Sequence, residues 1–173
     1  MSEPSGPARK IELTKDAVLE PDQSPRACRV GEGPLPLEDD SVDELYSSHV
    51  LQGIEDQGLF LHEVVRVCRP GARVEIRAPH WLSSMALCPG HRHTVSPTQV
   101  RHWCADFVRE WWAGCKKRLR HLRTEFIAGE GFGEAKDLLG WFTDEQIMRL
   151  IPNSCHECRY HFDVIAYEEP PKG

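Results

Sequence analysis

Two histidines stand where an imidazole could move a proton. His49 closes the run SVDELYSSHVL and His80 closes RVEIRAPH. An unperturbed histidine titrates near pH 6.5, so either could serve as a general base. Nine histidines and seven cysteines also raise the question of metal binding. Cys155 and Cys158 form the spacing Cys-His-Glu-Cys, and Cys88, His91, His93 and Cys104 lie upstream. A structural zinc takes four convergent ligands, usually as two such pairs. Only one pair is present, and it runs into a predicted strand, where positions three apart point to opposite faces. Uniting the pair requires a turn at Asn153 and Ser154 to extend further. The reading is therefore no metal, with zinc binding kept as an alternative.

Two charged stretches also bear on function. Glu38, Asp39 and Asp40 could be catalytic carboxylates, but three acids in a proline-containing turn are explained by solvation. From Arg101 to Arg123 there are seven basic residues against two acidic ones, with Trp103, Phe107, Trp111, Trp112 and Phe126 interleaved or nearby. That pattern can hold a phosphate backbone, although a solvated face beside core aromatics explains it as well.

The elements that must position these residues follow from periodicity. KIELT (Lys10 to Thr14) alternates and predicts a short strand, and ACRV (Ala27 to Val30) a second. SVDELYSSHVL reads as a strand leading into a loop. In QGLFLHEVVRVC, Phe60, Val64 and Cys68 recur at spacing four, with Leu61 and Val65 beside them, which predicts a helix. Pro70 and Gly71 should end that helix in a turn, and RVEIRAPH should be the next strand. Strand, helix, strand implies a parallel βαβ unit. Further on, Ser96 caps a helix predicted over SPTQVRHWCADFVREWW, with Pro97 at its first position. LRHLRTEFIA predicts a strand. Thr143 and Gln146 form a capping box at FTDEQIMRLI. HECRYHFDVIAYEE closes the chain as an alternating strand. His49 and His80 thus fall at the carboxyl ends of neighbouring parallel strands, the edge at which open α/β sheets bind ligands.

The central stretch resembles class I S-adenosylmethionine-dependent methyltransferases. The matching residues are Leu35, Pro36, Leu37, Asp39 or Asp40, Ser41, Val42, Asp43, then His49, Val50, Leu51, then Arg66, Val67, Pro70 and Gly71. The resemblance implies a Rossmann-like α/β sheet with helices on both faces, S-adenosylmethionine as cofactor and a small-molecule methyl acceptor. It implies Glu20 or Asp22 at the ribose, Glu32 at the adenine and Leu37 as a further cofactor contact. His49 and His80 become the catalytic candidates. The chain also departs from the pattern. The family's first strand ends in a Gly-x-Gly-type turn that lets the backbone approach the cofactor. Here Thr14, Lys15 and Asp16 hold those places, and no glycine falls between Gly6 and Gly31. Gln52 and Gly53 replace a charged pair after the His-Val-Leu run. Cys88 replaces the aspartate of an Asp-Pro-x-His loop.

With 173 residues and formal net charge −6, the chain suits one soluble domain and opposes a whole-protein nucleic-acid footprint. The expectation is one α/β domain over residues 10–168, shortened in its first half, with tails at 1–9 and 169–173. No membrane span or signal core is evident, and scattered cysteines suit a reducing cytoplasm. A lost helix would uncover apolar sheet surface, which points to a homodimer or another protein subunit as cover. Two functions stand side by side: a methyltransferase of unknown acceptor, and an inactive pseudoenzyme keeping the fold as a binding or regulatory module. Zinc or nucleic-acid binding is the weaker alternative.

Overall fold

The computed structural model describes residues 8–20, 26–28, 30–104, 112 and 114–167. Its strands are β1 (Lys10–Leu13), β2 (Ala17–Leu19), β3 (Arg26–Ala27), β4 (Val42–Ser48), β5 (Cys68–Pro79), β6 (Lys117–Ala128) and β7 (Cys155–Ala166). The helices are α1 (Gln57–Val67), α2 (Pro97–Trp103), α3 (Phe132–Leu138) and α4 (Asp144–Leu150). All seven strands join one sheet in the order β3-β2-β1-β4-β5-β7-β6. The α/β class expected from the sequence is the class observed.

The sheet has two kinds of connection. β1, β4 and β5 are parallel neighbours, and α1 forms the crossover between β4 and β5. Parallel neighbours need such a crossover. β2 pairs antiparallel with both β1 and β3. Among the described residues no helix lies between β1 and β4. β2 occupies AVL, which the sequence reading passed over. β3 holds Arg26–Ala27 rather than the full ACRV run.

Local signals explain most of the remaining elements. Asp56 caps α1 by accepting from the Leu59 N–H at 2.9 Å. The expected turn at Pro70 and Gly71 is a distortion inside β5. The register with β4 jumps from Val42↔Cys68 to Glu44↔Arg73, and Gly71 takes φ +89° within the jump. Ser96 and Pro97 start α2 as expected, and the described part of that helix ends at Trp103. Both bonds of the Thr143–Gln146 capping box are present. α3 was not expected, because its cap is a glycine without a side-chain bond and Ala135 is its one buried residue.

Side chains alternate across the sheet. Ile11, Leu13, Leu45, Val74, Ile76 and Phe162 are buried on one side, where Phe60, Leu61, Val64 and Val65 of α1 join the same core. Each such side chain contributes about 1.5–3 kcal/mol. The residues between them point the other way and are charged. Lys10 pairs with Glu44 at 2.9 Å, Arg77 with Glu75 at 2.6 Å and Arg123 with Glu125 at 2.8 Å. This face holds a shallow depression of about 540 Å³ lined by residues including Tyr46, Arg73, Glu75 and His161. Among the described residues this face is mostly polar, with Tyr46 and Leu122 its large exposed hydrophobics, so the broad apolar surface expected from a lost helix is not seen there. No helix among the described residues is long and apolar enough to cross a membrane.

Described parts of the basic, aromatic stretch are likewise tied into the fold. Trp112 is buried and donates its indole N–H to the Trp103 carbonyl at 2.8 Å. Arg120 pairs with Asp163 and Lys117 with Asp40. Phe107 and Trp111 lie outside the described residues. The acidic turn is held the same way, by Arg66 and Lys117.

Arg66 is the centre of that turn. Its guanidinium donates to the carbonyls of Leu35 at 3.0 Å and Leu37 at 2.9 Å, and to Asp39 at 2.6 Å. It also makes a two-pronged contact with Glu63 at 2.7 and 2.8 Å. Glu63 accepts in addition from the Leu35 N–H at 2.7 Å. Burial pushes the Glu63 pKa up, but Arg66 and the Leu35 amide outweigh it and hold the carboxyl below its ordinary range. Arg66→Met leaves two carbonyls and a half-buried carboxylate without their donor. It should lower stability by about 2–4 kcal/mol in urea unfolding, whereas Asp39→Asn, at an exposed partner, should lower it by under about 1 kcal/mol. A depressed carboxyl stabilises above its unfolded pKa, and that stability is lost as pH falls through the folded value. Glu63→Gln should therefore flatten the acid limb of the stability profile.

Candidate functional site

β4, β5 and β6 run in one direction, and β7 begins where they end. This carboxyl edge gathers His49 after β4, His80 after β5, Gly129 after β6 and the first residues of β7.

His49 is held in a left-handed turn, with φ +55°. Its N–H donates to the Arg77 carbonyl at 3.0 Å. Its own carbonyl accepts from the Gln52 side-chain amide at 2.7 Å. Gln52, one of the two departures after the His-Val-Leu run, thus fixes the backbone that aims the ring. His49 Nε2 lies 2.9 Å from Glu157 Oε2. The histidine side chain is 40% exposed while the glutamate side chain is only 10% exposed. Arg159 donates to the other carboxylate oxygen at 2.7 Å. Burial pushes the Glu157 pKa up, but Arg159 and His49 outweigh it and keep the carboxyl below its usual range. The result is a solvent-facing imidazole oriented by a buried, ionised carboxylate. If Nε2 donates to Glu157, Nδ1 is left to accept a proton. Glu157 and Arg159 were missed in the sequence because they sit 108 or more positions from His49. Only strand pairing brings them there.

His80 is placed differently. Its side chain is fully buried, and Nδ1 accepts from the Leu82 N–H at 3.2 Å. The ring lies 3.8 Å from that of Trp81. Burial pushes its pKa down to about 4. A neutral ring inside the core has no access to an acceptor at the surface, so His80 leaves the set of general-base candidates. One of its ring nitrogens and the sulfurs of Cys155 and Cys158 all lie within 4.8 Å of one another. The sequence argument against uniting these two cysteines fails at a β-bulge. Glu157 pairs with Ile127 and Cys155 with Ala128, so His156 is an extra residue in β7. One extra residue returns the strand to the same face. Cys155 and Cys158 both point into the core.

The residues expected to hold the cofactor are dispersed. Glu20 is half-buried and bonded to the Arg9 guanidinium at 3.0 and 3.1 Å. Asp22 lies outside the described residues. Glu32 is exposed in the turn before Leu35. Leu37 is buried in the core, and its carbonyl accepts from Arg66. At the end of β1, the Thr14 N–H donates to the Ala17 carbonyl at 2.9 Å and its hydroxyl to the same oxygen at 3.2 Å. The Asp16 and Lys15 carbonyls accept from the amides of Cys28 and Val30 at 3.2 and 3.3 Å. This turn leads into a hairpin.

The family model described as a methyltransferase domain matches residues 11–76. Those residues run from β1 through the Arg66 turn into β5. Over this segment the chain is similar to that family. A protein of 37.1 kDa from a transposon of Streptomyces fradiae, uncharacterised, is 39% identical over 75 residues. That match takes in 43% of this chain and 21% of that protein. Among solved structures, a SAM-dependent methyltransferase from Archaeoglobus fulgidus is similar over 73% of this chain and 61% of its own, with TM-score 0.49 and 17% identity. One from Aquifex aeolicus is similar over 82% and 55%, with TM-score 0.46 and 16% identity. The chain thus spans about a fifth of the curated relative and little over half of these two structures.

In this methyltransferase-type sheet the carboxyl edge is braced from the β6–α3 side. A Cβ on Gly129 would stand 2.5 Å from the Asn153 carbonyl oxygen. Asn153 has φ +59°, accepts from the Ser84 N–H at 2.7 Å through its side chain, and donates its N–H to the Leu82 carbonyl. Gly129→Ala should push these segments apart. A loss of about 1–3 kcal/mol in thermal or urea unfolding is expected, with faster exchange of the Ser84 amide.

Proposed function

We propose that this methyltransferase-type domain works as a binding or regulatory module and does not turn over S-adenosylmethionine by the family's route. The observation that carries the reading is the turn after β1. Cofactor binding at a first strand depends on a backbone that a ligand can approach closely and on the helix terminus that follows it. Here Thr14, Lys15 and Asp16 carry side chains, and their backbone groups are engaged with Ala17, Cys28 and Val30. The carboxylate nearest to the ribose role, Glu20, is already paired with Arg9. The residues present do not fit the cofactor.

A module of this kind works through a partner, either a second copy or another protein subunit. Seven free cysteines support a reducing, cytoplasmic setting. The catalytic reading rests on His49 and Glu157. That pair can take a proton from the hydroxyl or amine of a small-molecule acceptor, the class of group a methyltransferase alkylates. It would need the methyl donor to be held by residues other than Glu20, Glu32 and Leu37.

Calorimetric titration with S-adenosylmethionine and S-adenosylhomocysteine separates the two. No heat with either ligand at millimolar concentration is the expected result. Micromolar binding of either would overturn the module reading in favour of the enzyme.

A further inference from the structure

We infer that His80, Cys155 and Cys158 form a buried metal site for a borderline-soft divalent ion, zinc in the first instance. The three donors come from the end of β5 and the start of β7, and their ligand atoms lie within 4.8 Å of one another. All three residues are fully buried. Neither cysteine is in a disulfide. The bulge at His156 is what turns both sulfurs to one side. The Nε2 atom of His80 is buried with no hydrogen-bond partner, while Nδ1 is engaged by Leu82. Buried polar nitrogens are nearly always satisfied, so an orphan beside two thiols calls for a ligand.

The donor set is that of a zinc site with three protein ligands and a fourth position left to water or another small ligand. Two thiolates and a neutral imidazole balance the charge of a divalent ion, so the loaded site is neutral, as a buried site requires. Zinc–sulfur bonds of about 2.3 Å and zinc–nitrogen bonds of about 2.0–2.1 Å set donor separations of roughly 3.5–3.8 Å. A contraction of about 1 Å from the observed ceiling closes the site. Binding releases the two thiol protons. Coordination through Nε2 leaves the remaining ring proton on Nδ1, which displaces the Leu82 N–H. The ion would tie β5 to β7 directly beside Glu157, and so would brace the edge that aims His49. This inference does not depend on whether S-adenosylmethionine binds.

The test uses the full chain, purified under reductant, stripped with a chelator and titrated with zinc or cobalt(II). Expected are one ion per chain by elemental analysis, release of about two protons per ion, and a thiolate-to-cobalt charge-transfer band. The Leu82 amide resonance should move on zinc addition. Cys155→Ser with Cys158→Ser should abolish the band, and Cys88→Ser should retain it. Because core variants can fail to fold, the cobalt spectrum and the Leu82 shift on the unaltered chain stand on their own. No band with folded, reduced protein would overturn the site. So would an undiminished band in a folded double variant, or a Cys155–Cys158 disulfide that forms in preference to metal binding.

Discussion

The carboxyl end of α1 is where the chain is fastened together. A helix leaves its last carbonyls without partners inside the helix. Here the Arg66 and Val67 carbonyls accept from the Asp40 and Ser41 amides at 3.1 and 2.9 Å. Lys117, at the start of β6, donates to the Arg66 and Cys68 carbonyls at 3.0 and 2.7 Å. The Arg66 side chain meanwhile grips Leu35, Leu37, Asp39 and Glu63. One helix end thus fixes the turn before β4, the start of β5 and the start of β6. The acids of the turn act as partners of this junction, and their role is structural.

From that junction the sheet grows in two styles. The β4–α1–β5 unit is a parallel crossover and delivers its strand ends to a common edge. The β1–β2–β3 side is antiparallel, and at the turn after β1 the Thr14 amide and the Lys15 and Asp16 carbonyls are bonded to neighbouring backbone. A dinucleotide-type ligand needs unspent amides and a helix terminus at that point. The charged outward face follows from the same economy of helices. Among the described residues most outward positions carry polar side chains, and opposite charges pair across strands, as Lys10 with Glu44, and along them, as Arg77 with Glu75 and Arg123 with Glu125.

The edge itself is shaped by two small backbone departures. The left-handed turn at His49 directs an imidazole toward β7. The bulge at His156 shifts the phase of β7, so that Glu157 faces His49 while Cys155 and Cys158 face His80. Without the extra residue, Cys155 would point to the face opposite Cys158, and the interior cluster would not form. Sequence distance is large across both contacts, but the geometric change that makes them is one residue.

The sequence by itself determined the parallel β4–α1–β5 unit, the caps at Ser96 and Thr143, the final strand and the methyltransferase resemblance of the central stretch. These are local matters, since periodicity, capping chemistry and turn residues act within a few positions. The lack of a glycine turn after β1 was also legible, because side chains at Thr14, Lys15 and Asp16 are visible as letters. Tertiary structure alone decided the rest. It turned AVL into a strand by pairing it with β1, buried His80 while leaving His49 open to solvent, and supplied Glu157 and Arg159 across the sheet. It also reversed the reading of Cys155 and Cys158, since strand alternation holds only until a bulge breaks it. The physical reason is common to all of these. Burial, pairing register and phase are properties of neighbours brought together by the fold, and no window of the chain contains both partners.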